Sequence, residues 1–337
     1  MAHFDMKKFF FLLTVAICGL LPAMNAQTNQ ITWVNGRAVI GQSVNQVDSI
    51  KYGTMNEADV LYLMLSRKMV VHDTIITDTV VVRDTIHIPT DTIMGVFSVA
   101  PNKSVCFAKG NLQYTQSTKT WSFAEHQYDM IGANNVIDGN LADKIDLFGY
   151  SGSTGVKWGI STSTNNADYS GSFVDWGTNI IGSEAPNTWR TLTLDEWHYL
   201  FQHTSWTMAT VNGTLGFMLL PAGFIAPDGM AVSILSEGIT SDTDFRKDFS
   251  KTAYSSNVYT VSQFSQLESI GVVFLPSAGY CLGTTVGAVG TDGNYWSATT
   301  GREDIAAGMY IIATRVDANS WYDRGCGRSV RLVHDVE

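Results

Sequence analysis

From Gly95 to the C-terminus, short β-prone runs alternate with Gly, Asn, Asp and Ser, and only two stretches have the period of a helix. The β-prone runs include residues 105–107, 217–220 and 272–275. Many short strands separated by turn residues are typical of small sheets rather than of a helical bundle. The sequence therefore predicts one α+β domain over residues 95–337, with two helices and long loops between residues 132 and 183.

Each of the two predicted helices has an apolar stripe at helical spacing. The first begins with Thr193 and Glu196, which have the spacing of a capping box. Its stripe consists of Leu194, Trp197, Leu200 and Phe201. The second helix ends at Gly271, because glycine readily terminates a helix. Its stripe consists of Val261, Phe264, Leu267 and Ile270.

The N-terminus predicts export. Lys7 and Lys8 precede an apolar run over residues 9–21, and Pro22 leads into small residues that end at Ala26. This run is shorter than the roughly 18 to 20 residues that span a bilayer, so residues 1–26 are predicted to be a secretory signal peptide. We expect a product at the cell surface or outside the cell, without a transmembrane segment, and outer-membrane association remains an alternative.

Two further segments precede the large domain. Residues 27–69 are predicted to form a small β-rich unit, with a hairpin at Asn35-Gly36 and a helix from Glu57 to about Lys68. Residues 70–94 repeat an Asp-Thr motif at Asp73, Asp78, Asp84 and Asp91. Their β-branched residues disfavour helix, and we expect an extended spacer. An alternative is that spacers from several chains pair with one another, since exposed strands invite pairing.

The charge balance excludes one class of partner. The chain has 21 basic and 31 acidic residues, which gives a formal net charge of −10. Because affinity for nucleic acids depends on basic side chains that neutralise phosphates, no nucleic-acid partner is expected.

The His, Asp and Cys residues form no recognised metal-binding or redox motif. His198 and His203 are five positions apart and do not share one helical face, so a zinc site is not expected. The loop from Asp138 to Asp146 has carboxylates that suit calcium, but Ala142 breaks the usual spacing and a solvated loop is favoured. The cysteines beyond the signal peptide are Cys106, Cys281 and Cys326, either buried or with Cys281 bridged to Cys326.

Four segments of the large domain resemble a known family. They are residues 189–201, residues 274–280, Tyr295-Trp296-Ser297 and residues 329–333. These segments resemble secreted domains of gut-type Bacteroidota, which are similar to the C-type-lectin-like superfold of formylglycine-generating enzymes and of retroelement variable proteins. The resemblance covers residues 95–333. It implies that the last strands return beside the first ones and that ligand-facing residues precede the last strand.

The predicted binding surface follows from this resemblance and from the composition of the late segment. Trp321 and Tyr322 stand among short polar and charged residues, a context that favours exposure for recognition or packing at a strand edge. Arg331 lies in the last strand, where alternation allows it to face outward and pair with an acidic loop. The predicted ligand-binding residues are Trp296, Tyr310, Asn319, Trp321, Tyr322, Asp323 and Arg324.

Three functional hypotheses follow. The first is a non-catalytic exported surface protein that binds a protein or glycan through its C-terminal face. The second is a structural subunit or stalked component of a surface assembly, an oligomer formed through the spacer. The third is an oxidase related to formylglycine-generating enzymes, which hold copper between two nearby cysteines close to the C-terminus. Cys281 and Cys326 are far apart in sequence and the Gly-Gly-Ser-Trp signature is missing, so no enzyme activity and no cofactor are expected.

Overall fold

The structure is a computed structural model that describes residues 47–55, 58–65, 69–75, 80–86, 88–236 and 245–336, with side chains in the last two ranges. The chain divides into two units, Met1–Thr90 and Asp91–Glu337. The predicted signal peptide and the predicted hairpin at Asn35-Gly36 lie outside the described residues. None of the helices within these ranges is long and apolar enough to cross a membrane.

The first unit contains a four-stranded antiparallel sheet. Its strands, in spatial and chain order, are β1 (Val47–Met55), β2 (Ala58–Leu65), β3 (Met69–Ile75) and β4 (Val80–Ile86). The helix predicted from Glu57 to Lys68 is therefore wrong, because its centre is strand β2. A short apolar run fits a helix and a buried strand equally well, so periodicity alone does not separate the two.

The Asp-Thr repeat was predicted to be an extended spacer, but part of it forms paired strands. Asp73 lies in β3 and Asp84 in β4, and the two strands pair antiparallel, with Asp73 opposite Val82. The backbone is extended, as β-branched residues favour, but it forms a hairpin within the chain. Pairing of this segment between chains stays a prediction.

The second unit consists of many short strands and two helices. Its first strands are β5 (Thr92–Ala100), β6 (Lys103–Ala108), β7 (Leu112–Thr115), β8 (Thr120–Phe123), β9 (Val136–Ile137), β10 (Asn140–Leu141), β11 (Lys144–Ile145) and β12 (Arg190–Thr191). The later strands are β13 (Ser205–Val211), β14 (Thr214–Leu220), β15 (Arg246–Asp248), β16 (Val258–Tyr259), β17 (Val273–Pro276), β18 (Tyr280–Leu282), β19 (Thr285–Gly287), β20 (Asp292–Thr300), β21 (Ile305–Ile312), β22 (Arg315–Asp323), β23 (Cys326–Gly327) and β24 (Leu332–Val336). The helices are α1 (Leu194–His203) and α2 (Val261–Ser269).

Three four-stranded sheets carry most of this unit. Their strand orders are β12-β24-β6-β5, β16-β13-β14-β17 and β15-β22-β21-β20, and smaller sheets are formed by β11-β7-β8, by β10-β9 and by β19-β18-β23. The predicted α+β class is confirmed. The last strand, β24, pairs with β6, with Val333 opposite Phe107, which is the return of the chain that the family resemblance implied.

Both predicted helices are confirmed, and each begins with a capping box. In α1, the Thr193 hydroxyl accepts from the Glu196 amide and the Glu196 carboxylate accepts from the Thr193 amide. Thr260 and Gln263 form the same arrangement in α2, which the sequence reading missed. The predicted stripe of α2 is partly wrong, since Val261 and Ile270 are each 42% exposed. Only Phe264 and Leu267 are buried, because α2 ends at Ser269 and its first turn lies at the surface.

The core is rich in aromatic residues. Trp197 of α1 packs against Phe107, and Trp206 packs against Phe201 and Phe217. A neighbouring cluster contains Trp176, Trp189 and Trp296. Trp176, Trp189 and Trp197 are all at most 2% exposed. Burial of such large side chains contributes a few kcal/mol each.

Candidate functional site

Two of the predicted binding residues are core residues. Trp296 is 1% exposed, and its indole nitrogen donates to the carbonyl of Phe148 at 2.8 Å. Arg324 is 3% exposed. Its guanidinium donates to the carbonyls of Tyr169, Gly171 and Arg302 at 3.2, 3.1 and 3.2 Å. Their assignment to a binding surface is therefore corrected, because both side chains hold loops to the sheet.

Strand β22 divides the remaining residues between two faces. Asn319, Trp321 and Asp323 occupy every second position and are exposed, whereas Tyr322 is half-buried. Successive side chains of a strand point to opposite sides, so the predicted single surface is two surfaces. Tyr310 of β21 lies with Tyr322, their ring centroids being 6.4 Å apart.

On the first face, Tyr322 covers a buried arginine. The Cζ atom of Arg328 lies 3.1 Å from the ring centroid of Tyr322 and 5.2 Å from that of Trp296. Arg328 also donates to Asn294 Oδ1 at 2.5 Å. Burial lowers the pKa of Arg328 from its usual value, and within the described ranges no carboxylate pairs with it. The aromatic rings therefore supply part of the electrostatic stabilisation of this cation.

Tyr310 completes this first face. Its hydroxyl donates to Asp292 Oδ2 at 3.2 Å, and burial, followed by the charge of Asp292, raises its pKa to about 12. The hydroxyl is thus protonated at neutral pH. Tyr310 contacts Asp292 and Tyr322 contacts Arg328. This face therefore serves mainly for packing within the chain.

On the second face, Trp321 is 41% exposed and fixed in orientation. Its indole nitrogen donates to Asn319 Oδ1 at 3.2 Å. The ring also lies against the backbone of Gly301, because a Cβ built at Gly301 would be 2.6 Å from Cζ3 of Trp321. An exposed indole held by a hydrogen bond and by close backbone contact loses little freedom when a ligand stacks on it. We call Asn319, Trp321, Asp323 and Gly301 the Trp321 surface.

The surroundings of Trp321 are polar and accessible. The tip between β20 and β21 carries Arg302, whose side chain is 81% exposed, and Asp304, whose side chain is 56% exposed. Strand β15 pairs with β22 only at residues 315–317. Beyond that point no described strand covers the outer edge of β22. The Trp321 surface therefore combines one aromatic ring with a polar rim, a composition common at recognition sites.

Two titratable side chains of α1, those of Glu196 and His198, make structural contacts. Glu196 accepts hydrogen bonds from Arg190 at 2.8 Å and from Lys103 at 2.9 Å. Burial alone would raise the pKa of Glu196, but these hydrogen bonds outweigh burial and lower it. His198 stacks on Phe245 with 3.6 Å between ring centroids, and burial lowers its pKa. Through these contacts, Glu196 and His198 hold α1 to neighbouring segments.

Cys106, Cys281 and Cys326 are free and buried. In the pairing of β18 with β23, Cys281 is opposite Gly327 and Cys326 is opposite Leu282. Burial raises the pKa of the Cys281 thiol to about 11 and also raises that of Cys326. The predicted alternative of a disulfide between them is therefore not observed, and thiols with raised pKa values are poor nucleophiles.

In the loop over residues 138–146, Asp143 and Asp146 accept hydrogen bonds from within the chain. Asp146 is fully buried and accepts from the Ile131 amide and from Asn135, both at 2.8 Å. Asp143 accepts from the Ser117 amide and hydroxyl. Among the described residues no group of three or more His, Cys, Asp or Glu side chains could hold a metal ion.

Sequence reasoning missed the two residues that organise these faces, Arg328 and Gly301. Arg328 directly precedes the segment over residues 329–333, but its aromatic partners, Trp296 and Tyr322, come from other strands. Gly301 follows a long β-prone run, and its role depends on contact with β22.

No family model matches the chain, and no curated protein or solved structure matches it significantly.

Proposed function

We propose that this chain is an exported, non-catalytic binding protein that recognises a protein or glycan ligand at the Trp321 surface. The observation that carries the proposal is the exposed indole of Trp321, fixed by Asn319 and by the backbone of Gly301. Most large aromatic residues of the unit are buried, so an exposed and oriented tryptophan is unusual within it. Tryptophan is among the residues that contribute most to binding at interfaces.

The polar rim supports recognition over plain packing. Asp323 accepts from Asn166 at 3.3 Å and remains exposed, and the charged tip at residues 302–304 directly follows Gly301, which contacts the ring. Such groups form hydrogen bonds with a hydroxyl-rich glycan or with a polar peptide surface, while the ring stacks on an apolar face of either ligand. Export and a location at the cell surface or outside the cell rest on residues 1–26, and a C-type-lectin-like fold for the second unit rests on the resemblance of the four segments.

A binding screen tests the proposal. The mature chain is applied to a glycan array and to a panel of host and bacterial surface proteins, together with Trp321→Ala. For any ligand bound at this surface, we expect Trp321→Ala to weaken binding by about 2 kcal/mol, which is about a thirtyfold rise in Kd. Circular dichroism verifies that the variant is folded.

The matched control is Ile225→Ala, since Ile225 is 82% exposed at a different place in the fold. This control should bind as the native chain does. Ligands that bind Trp321→Ala as tightly as the native chain would show that the site lies elsewhere. A stable oligomer that is lost when residues 70–93 are deleted, without any ligand that depends on Trp321, would favour the structural subunit instead.

A further inference from the structure

The exposed charges around Trp321 are mainly negative. The tip between β20 and β21 and the end of β22 present three carboxylates and one guanidinium, those of Glu303, Asp304, Asp323 and Arg302. Three negative charges against one positive charge give this group a formal charge of −2. Arg302 Nε lies 3.9 Å from Asp304 Oδ1, so the guanidinium already has a carboxylate near it. An excess of negative charge therefore remains for a ligand to neutralise.

The neighbouring cation of Arg324 belongs to the interior. Its side chain is 3% exposed, and its guanidinium donates to the carbonyls of Tyr169, Gly171 and Arg302. Backbone oxygens thus solvate this charge inside the fold, whereas the three carboxylates are exposed to water. A ligand that approaches from solvent therefore meets carboxylates.

The indole and the carboxylate of Asp323 share one face of the β21–β22 hairpin. Trp321 is opposite Ala307 and Asp323 is opposite Ile305. Alternate residues of a strand share a face, and so do opposite residues of an antiparallel pair. A Cβ built at Gly301 would lie 2.6 Å from Trp321 Cζ3 and 3.0 Å from Ile305 Cγ1. The indole therefore extends towards Ile305, the residue opposite Asp323.

The carboxylates at this end of the hairpin retain free acceptor capacity. Asp323 Oδ1 accepts one hydrogen bond, from Asn166 Nδ2 at 3.3 Å, whereas a carboxylate offers about four acceptor positions. The Arg324 amide donates to the carbonyl of Asp304 at 3.0 Å, which joins the tip to the end of β22. Two carboxylates, those of Asp304 and Asp323, thus belong to the end of the hairpin towards which the indole extends.

We propose that the Trp321 surface binds a lysine or arginine side chain of a partner protein, with the cation on the exposed part of the indole and paired with Asp323. This inference rests on the proposed function and narrows its ligand to a basic protein segment. The negative face of an indole attracts a cation more strongly than other aromatic rings do. A carboxylate beside it forms a charge-assisted hydrogen bond with the same cation. A neutral glycan lacks both interactions, and an anionic glycan meets like charge.

Panning a displayed library of random linear peptides against the full mature chain tests this proposal. Peptides that bind the native chain but not Trp321→Ala are synthesised. Each arginine or lysine is then replaced in turn by citrulline or acetyl-lysine, which remove the charge and keep the length of the side chain. We expect at least one such replacement to raise the Kd about tenfold. Asp323→Asn should raise it about fivefold, and binding to the native chain should weaken as salt is added.

The matched control is Asp228→Asn. Asp228 is exposed in the loop that follows β14, and its replacement changes the net charge by the same amount as Asp323→Asn. The control should bind the peptides as the native chain does. Asp323→Asn keeps a side-chain oxygen that can accept from Asn166, and circular dichroism verifies that both variants are folded.

The outcomes separate this inference from the proposed function. Peptides that depend on Trp321, yet bind equally well after every neutral replacement or to Asp323→Asn, would overturn the cationic ligand and leave the proposed function in place. Glycans that depend on Trp321, in the absence of any such peptide, would do the same. If every peptide and glycan that binds the native chain binds Trp321→Ala as tightly, both are overturned.

Discussion

Replacing Arg331 with methionine removes a guanidinium that joins three segments of the second unit. Arg331 is 1% exposed and donates to Asn111 Oδ1 at 3.1 Å, to the Ala108 carbonyl at 3.2 Å and to the Phe274 carbonyl at 3.0 Å. The sequence suggested an outward-facing residue paired with an acidic loop. That expectation is wrong, because neutral oxygens of distant segments solvate the charge inside the core.

The expected loss in the free energy of unfolding follows from these three contacts. A hydrogen bond to a charged group contributes about 1.5–3 kcal/mol, and a buried acceptor left unpaired costs about 1–3 kcal/mol. Burial lowers the pKa of Arg331 to about 10, so the charged form itself is unfavourable in the core, and its removal offsets part of the loss. We therefore expect Arg331→Met to lower the free energy of unfolding by about 3–5 kcal/mol, from the three lost hydrogen bonds and the acceptors left unpaired.

Urea unfolding followed by tryptophan fluorescence measures this change. Trp33 is the only one of the nine tryptophans that precedes residue 91, so the signal reports mainly on the second unit. The control is Arg302→Met, since the Arg302 side chain is 81% exposed and its ion pair with Asp304 measures 3.9 Å. An exposed pair contributes little, and we expect a change below about 0.5 kcal/mol. Equal effects of the two substitutions would refute the role of Arg331 in joining the three segments.

Three other predictions concern the rest of the unit. Gly301→Ala places a methyl group 2.6 Å from the Trp321 ring, so it should displace the ring and weaken ligand binding while circular dichroism stays unchanged. Glu196→Gln should destabilise the fold by about 2 kcal/mol at neutral pH. Because the folded-state pKa of Glu196 lies below its ordinary value of 4.5, the stability that its ionised form supplies is present above that value. It is lost as pH falls through the lower folded-state pKa, so the difference between native chain and Glu196→Gln in urea titrations should shrink below pH 4.5. The buried thiol of Cys281, with its pKa raised to about 11, should resist iodoacetamide at neutral pH and react only after unfolding, and rapid labelling of the folded chain by mass spectrometry would contradict its burial.

Local sequence signals predicted the helices of the second unit and much of its core. The capping box of Thr193 and Glu196 and the apolar stripe that includes Trp197 are short-range patterns, and both are found as predicted. An equally short pattern predicted a helix where the structure has the strand Ala58–Leu65. A run of eight residues can satisfy both the helical and the strand pattern.

The proposed binding surface was predicted only in part. Composition identified Trp321 and its polar neighbours, but strict alternation along β22 separates Trp321 from Tyr322. The burial of Arg324 and Arg331 was not predictable, since most of their acceptors are backbone carbonyls that only the folded chain brings together. For Arg331, these carbonyls are 223 and 57 positions away in sequence.

The indole signals of the mature chain test the account most directly. In a ¹⁵N–¹H correlation spectrum, the Trp321 signal is assigned by its absence in Trp321→Phe, and a ligand from the binding screen is then titrated. Recognition at the Trp321 surface predicts that this signal shifts or broadens in proportion to occupancy, while the signal of the buried Trp296 stays in place. A bound ligand that leaves the Trp321 signal unchanged would contradict the account.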